Sequence, residues 1–137
     1  MKNYGSHFEY ESHRNADLMR AYREEIKASR HISLPVVLHT IVNRPSARFW
    51  VSEERAAIVM SRMLKGDSLP EMRPLKREMY QEIFKIVMRL REQHPDRTLS
   101  QLTFEAVRQP APKFYLTPGS AKVIISKIRR KWYKNRR

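Results

Sequence analysis

The stretch "RPSARFWVSEERA" at residues 44–56 sets a proline, two basic side chains and two adjacent aromatic rings directly before a helix-start signal. Pro45 cannot continue a helix. The aromatic and β-branched residues of "ARFWV" favour extended backbone after it. Ser52 then reads as an N-cap, with Glu53 and Glu54 suited to the positive end of a helix dipole. A related phrase, "QPAPKFYLTPGSA", stands at residues 109–121, and the pair raises the question of why a chain of 137 residues spells it twice.

Aligned at an offset of 65, residues 98–128 share six identities with residues 33–63: Leu34/Leu99, Val42/Val107, Pro45/Pro110, Phe49/Phe114, Ala56/Ala121 and Ser61/Ser126. Conservative pairs include Ser33/Thr98, Ser52/Thr117, Arg48/Lys113, Trp50/Tyr115, Val51/Leu116 and Met63/Ile128. These are caps, stop prolines and apolar stripes, the positions that fix backbone path and buried face. The expectation is a mainly α-helical chain of about six helices in two tandem repeats, each helix, helix, short extended segment, helix. The copies are expected to share one core about an approximate two-fold axis, with "RFWV" and "KFYL" pairing there as a small β-ribbon.

Working outward, residues 1–14 show no periodicity and read as a flexible arm. "NADLMRAYREEIKAS" from Asn15 carries Leu18, Met19, Tyr22 and Ile26 on one side of a helix. "SLPVVLHTIVNRP" is a second helix, capped by Ser33 and stopped at Pro45, with Leu34, Val37, Leu38, Ile41 and Val42 as its stripe. The third helix buries Ala56, Val59, Met60 and Met63 and ends at Gly66. A longer helix near Pro74 carries Met79, Tyr80, Ile83, Phe84, Val87 and Leu90. The implied organisation is an arm at 1–14, a first copy at 15–65, a linker at 66–74 and a second copy at 75–137.

Basic residues number 28 against 14 acidic, a formal net charge of +14. Solubility asks for a magnitude of only about 2–8, so the excess points to a polyanionic partner. It is uneven: residues 1–65 carry 11 basic and 7 acidic side chains, residues 66–137 carry 17 and 7. No cysteine is present, which excludes disulfides and thiolate chemistry. No window has the roughly 18 apolar residues of a membrane span, and the first residues do not form a secretory signal. A cytoplasmic protein without membrane contact is expected, nucleoid-associated if bacterial.

Catalysis finds little support. The three glycines form no phosphate-cradling loop. His7, His13, His31, His39 and His94 are too scattered for a metal pair, and adjacent carboxylates such as Glu24/Glu25 do not face one another on a helix. No enzyme activity, cofactor or metal is expected.

The final helix, "TPGSAKVIISKIRRKWYKNRR", is the most informative stretch. Ala121, Ile124, Ile125, Ile128 and Trp132 make an apolar stripe, which reads Trp132 first as a core anchor. Lys127, Arg130, Lys131 and Lys134, at i, i+3, i+4 and i+7, make a basic stripe. From Lys122 onward there are eight basic residues and no acidic one. Such a face neutralises phosphates, and the rings of Trp132 and Tyr133 can pack on sugars or bases. The candidate nucleic-acid-binding residues are therefore Lys127, Arg129, Arg130, Lys131, Trp132, Lys134, Arg136 and Arg137, joined by Arg44, Arg48, Arg108 and Lys113 around the repeated aromatic phrase. Duplicated, capped helical units resemble helix-turn-helix modules in outline, although "RPSARFWV" exceeds the roughly 3–4 residue turn of that class. The expectation is a non-enzymatic nucleic-acid-binding protein with duplex DNA as ligand. RNA or ribosome association and the docking of an acidic protein partner are the alternatives.

Overall fold

A computed structural model describes residues 4–30 and 32–135. Over these the chain forms six helices and no strand: α1 Tyr4–Ala28, α2 Leu34–Val42, α3 Glu53–Leu64, α4 Pro74–Gln93, α5 Leu99–Val107 and α6 Pro118–Asn135. None of them is long and apolar enough to cross a membrane. They group into two compact units, one from Met1–Ser46 with Pro112–Arg137 and one from Ala47–Ala111.

The first unit packs α1, α2 and α6 against one another. Its core holds Leu18, Ala21, Val37, Leu38, Ile41, Val42, Phe114, Ala121 and Ile125, and each large aliphatic chain removed from water contributes about 1.5–3 kcal/mol. The helix expected from Asn15 extends back to Tyr4. Asn15 is therefore an interior residue of α1 and not its cap; its Oδ1 accepts from the Arg14 guanidinium at 3.1 and 3.3 Å. Ser33 occupies the N-cap position of α2 with extended backbone, yet its side chain makes no capping bond. Beyond α2, the backbone N–H of Phe114 donates to the carbonyl of Val42 at 3.0 Å, and Ser46 Oγ donates to the Lys113 carbonyl at 3.3 Å. The C-terminal end of α2 is thereby tied to the segment that leads into α6.

The second unit packs α3, α4 and α5. Phe49, Ala56, Val59, Met60, Leu69, Tyr80, Ile83, Val87, Leu102, Ala106 and Val107 are all at most 1% exposed. Ser52 Oγ accepts the Arg55 N–H at 3.1 Å, as a cap should. Thr98 does more: it accepts the Gln101 N–H at 3.1 Å while Gln101 Oε1 accepts the Thr98 N–H at 2.9 Å, a full capping box. Here the Phe49 N–H donates to the Val107 carbonyl at 3.0 Å.

Each unit thus mixes helices of both expected copies, two from one and one from the other. α2 of the stretch 15–65 lies with α6 of the stretch 75–137, and α3 of the first lies with α5 of the second. The aromatic segments do not become strands among the described residues. The Phe49 and Phe114 amides that a ribbon would use are spent on helix-end carbonyls, and Tyr115 sits in the left-handed region at φ 56°, which interrupts extended pairing.

Residues 66–74, expected as a linker, are braced by a turn of their own and by arginines of the flanking helices. Gly66 at φ 99° ends α3. Asp67 Oδ1 accepts the Leu69 N–H at 2.8 Å, and Arg62 pairs with both Asp67 and Glu71. Leu69, at φ 59°, is wholly buried, a conformation that a branched residue adopts only when its surroundings hold it. The holding group is Arg77, whose guanidinium donates to the carbonyls of Leu69 at 3.0 Å and Met72 at 2.7 Å.

Candidate nucleic-acid interface

The basic residues divide by their partners. Around the aromatic phrase, arginines are engaged inside their own unit. Arg44 bonds Glu24 and Glu25 of α1, each at 3.0 Å. Arg48 donates to the carbonyls of Phe49 and Val51 at 3.1 and 2.9 Å, lies 5.3 Å over the Trp50 ring and reaches Glu53 at 3.6 Å. Arg108 reaches the same Glu53 at 3.1 Å. Lys113 sits 5.5 Å over the Tyr115 ring, the counterpart of the Arg48–Trp50 stack in the other unit. The pairs of Arg44 and Arg108 reach solvent on at least one side, where such a pair contributes about 0–1 kcal/mol, whereas Arg48 and Glu53 are both largely covered. Glu24, Glu25 and Glu53 offset three of the candidate cations.

α6 is different. Its N-terminus is capped by Thr117, whose Oγ1 accepts the Ser120 N–H at 3.0 Å. Ala121 and Ile125 anchor its buried side, with Ile124 and Ile128 half-buried. Lys122, Lys127, Arg129, Arg130, Lys131 and Lys134 are all exposed. Among the described residues none of these six has a carboxylate within 4.0 Å. α6 therefore presents six exposed cations on one helix that carries no acidic residue, while other described cations without a carboxylate within 4.0 Å, such as Lys27, Arg55, Lys76, Arg89 and Arg91, are spread over α1, α3 and α4. Arg136 and Arg137 lie outside the described residues.

Trp132 departs from its sequence reading. It is 54% exposed, and Tyr133 beside it is 53% exposed, their rings 5.2 Å apart and edge-on at 63°. Spacing carries the apolar stripe as far as position 132, but the last buried residue of α6 is Ile125, about two turns earlier. The two rings instead line an apolar groove of about 460 Å³ between α6 and α1, together with Met19, Tyr22, Ile26, Ile32 and Ile128. Arg23 and Arg129 complete the lining. The hydroxyl of Tyr133, and with it that of Tyr22, holds the Arg129 guanidinium above the ordinary arginine pKa. A shallow hollow on the same helix, lined by Ser126, Arg129, Arg130 and Tyr133, shares two residues with the groove.

Sequence reasoning missed Arg23 and the groove. The signal was present in Met19, Tyr22 and Ile26, an apolar stripe whose distal members are only half-buried. What it lacked was the position of α6 alongside. Comparison with protein-family models, with curated proteins and with solved structures finds no match.

Proposed function

We propose that the protein binds nucleic acid, without catalysing a reaction on it, through the exposed basic face of α6, with duplex DNA as its ligand. The observation that carries this reading is the contrast in partners: six cations on α6 stand without acidic neighbours among the described residues, whereas Arg44, Arg48 and Arg108 are offset by glutamates. Lys127, Arg130, Lys131 and Lys134 follow one helical stripe. A row of that kind meets successive phosphates and releases their counterions. Lys113, and the three arginines once their pairs open, are secondary contacts in this reading.

We also read the chain as a duplicated helix–segment–helix phrase. The bonds Phe49 to Val107 and Phe114 to Val42 support this, since the second is the first with both residues moved by the sequence offset of 65 and the copies exchanged. The stacks of Arg48 on Trp50 and Lys113 on Tyr115 repeat at the same offset. An RNA ligand is the alternative that composition favours equally, because phosphate contacts carry no sequence information.

The test is fluorescence anisotropy with duplex DNA, single-stranded DNA and duplex RNA of one length across a salt series. Tighter binding to duplex DNA, with log affinity falling steeply against log salt, is the expected result. Tighter binding to duplex RNA moves the assignment to RNA. Absence of salt-dependent binding to all three overturns it.

A further inference from the structure

The groove and the hollow on α6 adjoin, and their chemistries are complementary. The groove is predominantly apolar and carries two exposed rings; the hollow, also largely apolar in surface, is lined by two arginines, a serine and a tyrosine, whose side chains add cationic and hydroxyl groups. Arg129 and Tyr133 belong to both. A ligand that fills the pair has a flat apolar part and an anionic part joined over a short distance. An unpaired nucleotide has that build.

Building on the nucleic-acid reading above, we infer that this site takes one unpaired base of the bound strand, packed on Trp132 over Tyr22 and Ile128, with the adjoining phosphate held by Arg129 and Arg130. Size and charge both favour this occupant. A volume of about 460 Å³ lies in the range of small-molecule sites, about 300–1,000 Å³, which suits a single nucleotide. A protein helix laid in a groove needs anchor positions at i, i+3, i+4 and i+7, and one pit accepts one of them. The rim is cationic through Arg23 and Arg129, and the exposed Lys127, Arg130 and Lys131 continue that charge along the same helix. The stripe of Lys127, Arg130, Lys131 and Lys134 lies on the side of α6 away from Ile128 and Trp132, and the hollow with Arg129 and Arg130 stands between the two, where a strand held on the stripe can turn one nucleotide toward the groove. Stacking tolerates any base, because every base has a π face, so the inference predicts added affinity wherever the bound nucleic acid offers an unpaired base, as at a frayed end or flap of a duplex, and no preference for sequence.

The experiment uses the full chain with Trp50→Phe, which leaves Trp132 as the single tryptophan. Two single-stranded probes of about twelve nucleotides are titrated: oligothymidylate, and an abasic strand with the same phosphates and no bases. The thymidylate strand is expected to quench Trp132 emission and to bind about tenfold more tightly than the abasic strand. In anisotropy, Trp132→Ala is expected to erase that difference while leaving abasic binding unchanged, and Trp132→Phe to restore most of it. Equal binding and equal quenching by the two strands overturn this inference and leave phosphate binding by α6 intact. Failure of both strands and of duplex DNA to bind overturns the nucleic-acid reading and this inference with it. Quenching by an acidic amphipathic peptide of glutamate and leucine, with none by oligothymidylate, overturns it in favour of a protein partner.

Discussion

The amide of Phe49 donates to the carbonyl of Val107 at 3.0 Å, joining the segment before α3 to the last residue of α5. Fifty-eight positions of chain separate the two, and the bond ties a repeated aromatic phrase to a helix of the other expected copy. Phe114 makes the corresponding bond to Val42 at the same distance. Both rings are buried, 0% and 4% exposed.

The two phenylalanines are therefore expected to carry similar weight. Phe49→Ala and Phe114→Ala each remove a buried ring and leave a cavity, and each is expected to destabilise by about 3–5 kcal/mol. Urea unfolding followed by circular dichroism checks this. If one substitution costs less than about 1 kcal/mol while the other costs the full amount, the two contacts are not equivalent.

Helix caps separate along the lines of their hydrogen bonds. Thr98 has a reciprocal capping box with Gln101, whereas the Ser33 side chain makes no cap bond. Thr98→Ala is expected to cost about 1 kcal/mol and Ser33→Ala close to nothing, although the sequence treats the two positions as equivalents. Chemical denaturation of both variants, compared with Ser52→Ala as a second true cap, measures the difference.

The loop between α3 and α4 makes stability depend on acid. Asp67 is held below its ordinary pKa by the Leu69 N–H and then by the Arg62 guanidinium, and Glu71 is held below its own chiefly by Arg62. A depressed carboxylate pKa stabilises the fold above the unfolded-state value, and that contribution is lost as pH falls through the lower folded value. Unfolding measured from about pH 5 down to pH 2 is expected to show this decline, in the range where carboxylates titrate. Arg62→Gln is expected to make the decline shallower. An unchanged slope in that variant contradicts the assignment.

Much of the fold was legible in the sequence because caps and stops act locally. Pro45, Ser52, Gly66, Pro74, Thr98 and Thr117 mark helix boundaries by chemistry confined to a turn. The six helices follow from those marks and from apolar stripes such as Val37, Leu38, Ile41 and Val42. The grouping into units was not legible. A repeat says which segments are alike, but not which copy of α2 packs on which copy of the following helix.

The site was legible to the same degree. The basic stripe of α6 is a local pattern and its exposure follows from helical geometry. The partners of Arg44, Arg48 and Arg108 come from Glu24, Glu25 and Glu53, and two of those three pairings close over 19 to 55 residues of chain. No local rule reads such pairs. Trp132 sits at a stripe position that spacing assigns to the core, and its exposure depends on how far α1 and α6 cover one another.

The most direct measurement is the salt dependence of duplex-DNA affinity for three proteins: the native chain, a Lys127/Arg130/Lys131/Lys134→Gln variant and an Arg44/Arg48/Arg108→Gln variant. Each phosphate neutralised contributes about 0.9 to the slope of log affinity against log salt. The α6 variant is expected to lose about 3–4 units of slope, and the variant of the ion-paired arginines to lose less than about one. A slope that is unchanged in the α6 variant, or that collapses only in the other, contradicts the account.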